Sequence, residues 1–250
     1  MRSPTPSELL SVWERGRHQS PVQRGLLLLE AAYPSTPRDT LARLSVGERD
    51  SRLLQLRQWA FGPTLGCAVT CPRCEEALEM SFEVADIMLD SPRELGQPLS
   101  LTEAGYQLEL RLPNSLDLAA VSEQVDAGEA VAQQAGRRLL LERCVLDVRC
   151  DGSEASIEEL PTEVIEAVVE RMAEADPQAD VQLALTCPGC GHQWHAPFDI
   201  LSFLWHEIDV WAQRLLRQVH TLARAYGWRE ADILALSPTR RQFYLEMASR

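Results

Sequence analysis

The chain contains no lysine, so all 24 of its basic residues are arginine. That absence excludes Schiff-base chemistry and any phosphate loop built around a lysine. No Gly-x-Ser-x-Gly elbow and no His-Glu-x-x-His helix is present either, and His206-Glu207 lacks the second histidine that a metalloprotease helix needs. Acidic residues are plentiful, but no spacing in the sequence pairs two of them as general acid and base. Long apolar runs are missing as well. Residues 25–29 are too few to span a bilayer, and residues 199–226 are interrupted by Glu207, Asp209, Arg214, Arg217 and Arg224. Residues 1–19 lack the apolar core of a signal peptide, so the expected location is cytoplasmic, without membrane insertion.

What remains is a globular composition. With 250 residues, 45% hydrophobic and 24% charged, the chain can bury one large core or two small ones, which excludes a disordered tail or a collagen-like repeat. The net charge of -13 is unevenly spread. Residues 1–66 carry 9 arginines and 6 acids, residues 67–199 carry 8 and 26, and residues 200–250 carry 7 and 5. An acidic middle between weakly basic arms is a poor counterpart for a phosphate backbone, so nucleic acid is disfavoured as a partner.

Seven cysteines suggest where the chemistry lies, because four of them form a duplicated motif. Thr70-Cys71-Pro72-Arg73-Cys74 matches Thr186-Cys187-Pro188-Gly189-Cys190 at an offset of 116, and Phe82-Glu83-Val84 then matches Phe198-Asp199-Ile200. Apolar strands are expected at 65–69, 79–83, 181–185 and 193–199. Each copy is strand, cysteine knuckle, strand. Two such knuckles supply four thiolates that close a tetrahedral zinc site, with Cys71, Cys74, Cys187 and Cys190 as ligands. The separation is unusual, since about 15–20 residues is ordinary for a zinc ribbon. A thioredoxin-like redox pair is disfavoured, because two matched copies suit one metal better. Cys67, four before Cys71, is a candidate substitute ligand, but Leu183 holds its place in the second copy, so it reads as a buried strand residue. Cys144 and Cys150 read as small core residues. His192 and His195 could ligate, although four thiolates already fill the site. A closed site implies structural zinc, so the chain reads as no enzyme.

The flanks read as helical. An N-terminal arm over 1–64 holds helices from a Ser7 cap to residue 15, from Pro21 to residue 32, a short one at 36–44, and one from Ser45 to residue 61. In the last, Glu48 is the expected capping-box partner, and Leu53, Leu54, Leu56 and Trp59 form the core face. The first knuckle covers 65–90, a mixed insert 91–180, the second knuckle 181–198 and a C-terminal helical arm 199–250. Within the insert, 99–101 and 106–112 predict a hairpin, Asn114-Ser115 caps a helix to 124, and helices follow at 128–145 and 161–175 with a short strand at 147–150. The C-terminal arm predicts one long helix over 199–226. Its stripe is Ile200, Leu204, Ile208, Trp211, Leu215, Val219, Leu222 and Tyr226, an eleven-residue repeat that keeps the face straight. Short helices follow at 229–235 and 238–248. Trp205, Trp211, Tyr226 and Trp228 are candidate partner anchors, with Arg240 and Arg241 beside them, and the long helix is a candidate for self-association. The expected class is α+β, predominantly helical, with a split zinc ribbon joining two helical arms.

Residues 44–62, LSVGERDSRLLQLRQWAFG, the knuckles, and residues 175–248 together resemble the T-even-type bacteriophage base plate protein family. The likeness is best over 40–90 and 175–248. Members of that family occur in contractile phage tails and phage-like contractile injection systems. Residues 225–247 also resemble the helical end of tail assembly proteins. The resemblance implies a structural or assembly role among baseplate or tail proteins, as a particle component or a hub chaperone, and no catalytic residues. A zinc-ribbon regulator that binds nucleic acid is the alternative of a different class.

Overall fold

The structure, a computed structural model, describes residues 1–89, 98–124 and 129–248. The expected knuckle–insert boundary at 90–91 and the expected helix start at 128 lie outside them.

The first helix, α1 (Pro6–Gly16), begins two residues earlier than a Ser7 cap would set it. Thr5 is the N-cap. Its hydroxyl accepts from the Glu8 N–H, and the Glu8 carboxylate accepts from the Thr5 N–H, a reciprocal box with Pro6 inside it. Helix α2 (Pro21–Ala32) is capped by Ser20. A short α3 (Arg38–Ala42) leads to α4 (Val46–Phe61). Ser45 caps α4 as expected, but Glu48 does not reach back, because its side chain pairs with Arg52 at 2.8 Å.

Strands β1 (Thr64–Thr70) and β2 (Ala77–Glu83) form an antiparallel hairpin, followed by a single turn, α5 (Val84–Ile87). The insert contributes β3 (Leu99–Glu103), β4 (Tyr106–Leu110), α6 (Ser115–Gln124), α7 (Glu129–Cys144), β5 (Val145–Cys150), β6 (Ser153–Glu154) and α8 (Thr162–Ala175). Its strands pair antiparallel in the order β3-β4-β5-β6. A second hairpin, β7 (Gln182–Thr186) and β8 (Gln193–Pro197), precedes the long α9 (Ile200–Tyr226). Gly227, at φ +69°, ends α9 with its N–H on the Ala223 carbonyl, and α10 (Glu230–Leu234) and α11 (Pro238–Ala248) close the chain. The class is therefore α+β and mostly helical.

The chain divides into two compact units. Residues 1–36 and 200–250 form one, so α3 and α4, which the sequence groups with the N-terminal arm, belong to the other. In the first unit α1 and α2 pack on α9 through two glycines. A Cβ at Gly16 would enter the Trp205 ring, and one at Gly25 would lie 3.1 Å from Leu201 Cδ1. The Trp13 indole N–H donates to Asp209 at 2.8 Å across the same seam.

The second unit, 37–199, is built on the four-stranded sheet. Leu99, Leu108, Leu110, Val145 and Val148 pack under Val164 and Val168 of α8. The end of the insert returns to α4. Asp176 accepts from the Gly47 N–H at 2.9 Å, and Gln178 bonds both the Leu89 N–H and the Ile87 carbonyl. On α4, Leu53, Leu54 and Leu56 are buried, but Trp59 is 45% exposed, and Arg57 is buried instead.

Candidate metal centre

The two knuckles share the same turn hydrogen bonds at the offset of 116. The Cys71 N–H donates to the Glu76 carbonyl and the Glu75 N–H to the Cys71 carbonyl, both at 2.9 Å. Cys187 with His192, and Gly191 with Cys187, repeat both bonds at 2.9 Å. The turn needs a left-handed residue after the second cysteine. The second copy uses Gly191 at φ +69° there, and the first forces Glu75 to φ 60°.

These turns bring all four cysteines together. Their sulfurs lie within 4.8 Å of one another. The pairs run crosswise, Cys71 Sγ to Cys190 Sγ at 3.8 Å and Cys74 Sγ to Cys187 Sγ at 3.5 Å. A regular tetrahedron of sulfurs bonded to zinc at about 2.3 Å has edges of about 3.8 Å, whereas a disulfide needs about 2.05 Å. The cluster is therefore compatible with a metal site, and no pair is bonded. Cys71 and Cys187 are buried, Cys190 half-buried and Cys74 exposed. Phe82 and Phe198, matched in the repeat, meet edge to face at 5.7 Å behind the knuckles.

Without a metal the sulfurs compete for protons. At Cys71 burial opposes ionisation, but the Cys74 and Arg73 backbone N–H groups outweigh it and lower the thiol to about 7. At Cys187 the Cys190 N–H favours the thiolate, yet burial and the Cys74 sulfur push the thiol up to about 12. The Cys71 thiolate forms easily while Cys74 and Cys187 resist ionisation, which a divalent cation reverses.

A residue that spacing does not reveal also reaches the cluster. Glu76 of the first knuckle lies against Gly189 of the second, and its carboxylate is 3.5 Å from Cys187 Sγ. The only sequence signal is the glycine at 189, where the first copy has Arg73. Cys67 sits half-buried on β1, opposite Met80, and burial raises its thiol. Burial pushes Cys144 up to about 11. His192 stacks on Trp194 at 5.8 Å, and His195 is exposed on β8. Neither belongs to the cluster found among the described residues.

The candidate anchors fall in two places. Trp205 is 9% exposed, with the Arg24 guanidinium 4.6 Å above its ring, so it is part of the α1–α2–α9 packing. Trp211 is half-buried, and Ala212, fully buried, takes the seam position that the stripe assigns to it. Tyr226 and Trp228 stack at 4.7 Å, with Tyr244 edge-on to Trp228 at 4.8 Å. Arg240 is exposed. Arg241 is buried and donates to Gln218 at 2.8 Å, which ties α11 to α9. No helix among the described residues is long and apolar enough to cross a membrane.

A family model described as T4 bacteriophage base plate protein matches residues 27–205, well over half of the chain and the whole of both knuckles. No curated protein and no solved structure matches the chain.

Proposed function

The chain belongs to the T4 bacteriophage base plate protein family, and on that premise we propose that it is a non-enzymatic component or assembly factor of a contractile-tail baseplate, held together by one structural zinc. The family match carries the first half of this reading, and the grouping of four sulfurs within 4.8 Å of one another supports the second. Cys71, Cys74, Cys187 and Cys190 are the ligands. They leave no open coordination position, so the metal holds the two knuckles together and activates no water. Its partners are other baseplate or tail proteins, met where the contractile particle assembles.

Two measurements test the two halves separately. The purified chain should carry about one zinc, with Cys67→Ser and Cys150→Ser unchanged and Cys74→Ser and Cys190→Ser depleted. A metal-free, fully folded chain would overturn the zinc assignment. In the producing cell, deletion of the gene should leave sheath and tube without complete baseplates by electron microscopy. Normal, functional particles in the deletion strain would overturn the baseplate role.

A further inference from the structure

The two hairpins that carry the cysteines each expose a strand edge, and the two edges border one groove. Its volume is about 480 Å³. Met80, Ser81 and Phe82 line it from β2, and Gln182, Leu183, Ala184 and Leu185 line it from β7, with Val181 just before that strand. No residue of β1 or β8 takes part. Consecutive residues of a strand point to opposite faces, so a wall made of consecutive residues is a strand edge and not a sheet face.

The hydrogen-bond phase shows which groups that edge presents. In an antiparallel pair, alternate residues exchange both bonds with the neighbouring strand. The Val84 N–H donates to the Pro63 carbonyl and the Cys71 N–H to the Glu76 carbonyl, and the register pairs Leu65 with Phe82 and Cys67 with Met80. Leu78, Met80 and Phe82 thus bond β1, while Ala77, Glu79 and Ser81 turn N–H and C=O away from it. Likewise Phe198 to Val181 and Cys187 to His192 set the phase of β7, so Gln182, Ala184 and Thr186 face outward. Among the described residues no backbone partner meets these outward groups. Such edges are templates for another strand.

The walls also fix the chemistry of what would fit. Ile87, Leu89, Val181, Leu183 and Leu185 make the groove apolar, and among the described residues the charged ones that line it are Asp86 and Asp180. The unit that holds it, 37–199, has 29 acids against 13 arginines. We infer that this groove docks an extended segment of another tail protein, one that alternates apolar and basic residues, by strand addition to the free β2 and β7 edges. This rests on the reading that the chain works through contacts with other tail proteins.

The probe is a fluorescent peptide of about eight residues alternating arginine and valine, roughly one strand long. Fluorescence anisotropy with the full-length chain at low salt should show saturable binding. N-methylating the valine amides should weaken it by about tenfold, because strand addition runs through main-chain bonds. Ser81→Pro, which removes an outward N–H without touching β1 pairing, should weaken it similarly, as should Ala184→Pro should the first variant fold poorly. Asp180→Asn should weaken it by about threefold and flatten its salt dependence. An alternating glutamate–valine peptide that binds equally well would overturn the inference. So would indifference to N-methylation, no saturable binding, or a self-dimer of the chain that occupies the groove instead. None of these outcomes alters the baseplate role, which the deletion strain tests on its own.

Discussion

Asp117 has no exposed surface, yet it accepts both Nη groups of Arg111 at 2.6 and 2.8 Å, Arg143 Nε at 2.8 Å and the Asn114 N–H at 3.0 Å. Burial opposes its charge, and the two arginines with the backbone donor outweigh burial, so its carboxyl stays below the usual range. It fixes the start of α6 against the end of α7. Asp117→Ala leaves two arginines without their counter-ion. A fully buried pair would cost about 3–5 kcal/mol, and the partial exposure of both arginines brings the expected loss to about 2–3 kcal/mol, measured by urea unfolding at pH 7. The pH dependence has a definite sign. A depressed folded pKa gives stability that is complete above the unfolded value of about 3.9 and is lost as pH falls through the folded value. Asp117→Asn should therefore be less stable than the parent at pH 7 and should lose less on acidification below about pH 4. Equal acid limbs would show that the network carries no linkage. Nothing in the sequence singled out Asp117, because its partners come from positions 111, 114 and 143.

At the scale of elements, two contacts illustrate what pattern reading could reach. The Ser45 cap on α4 is local and legible. The second cap is not, because Asp176 arrives from 129 residues away to take the Gly47 N–H. Asp176→Ala should cost about 1–2 kcal/mol by thermal unfolding, the ordinary worth of a lost cap. Burial raises the Asp176 carboxyl, and a raised folded pKa means that its contribution falls as pH rises through that value. Asp176→Asn keeps an acceptor and sheds the charge, so it should match the parent or exceed it at pH 8 while the alanine variant does not. The α9 stripe was legible in phase and period, and seven of its eight expected positions are at least half-buried. Its neighbours were not, since Ala212 rather than Trp211 fills the seam centre, and Trp205 enters the core because Gly16 makes room for it. Trp59 misled for the same reason, its hydrophobicity saying nothing about which side of α4 faces solvent. Gly16→Leu forces a side chain into the Trp205 ring and should cost about 1–3 kcal/mol, read as a lower melting temperature. An unchanged melting temperature would mean that α1 does not pack on α9 as described.

Across the whole molecule, the duplication at an offset of 116 has its counterpart in the grouping of Cys71, Cys74, Cys187 and Cys190, because a repeated turn carries its sulfurs with it. The residues joined are 113 and 119 positions apart along the chain. A cross-link closing a loop of that length is worth about 4–5 kcal/mol in the chain-entropy account. The hairpins need that link more than the sheet does. Their inward residues Leu78, Met80, Phe82, Leu183, Leu185 and Trp194 are only half-buried, and isolated two-stranded hairpins are marginal in water. The insert has its own core, to which, among the described residues, neither cysteine-bearing hairpin contributes a residue. On the proposed zinc site, removing the metal with a chelator at pH 7 should therefore loosen the molecule in part. Hydrogen exchange at the backbone amides of β1, β2, β7 and β8 should accelerate by about a hundredfold or more, while those of β4, β5 and α8 stay protected, as expected of separate cooperative units. Cys74→Ser should reproduce the pattern without chelator. Simultaneous loss of protection in β4, β5 and α8 would mean that the metal holds up the insert as well, and unchanged hairpin exchange would mean that the four sulfurs stabilise nothing by holding an ion.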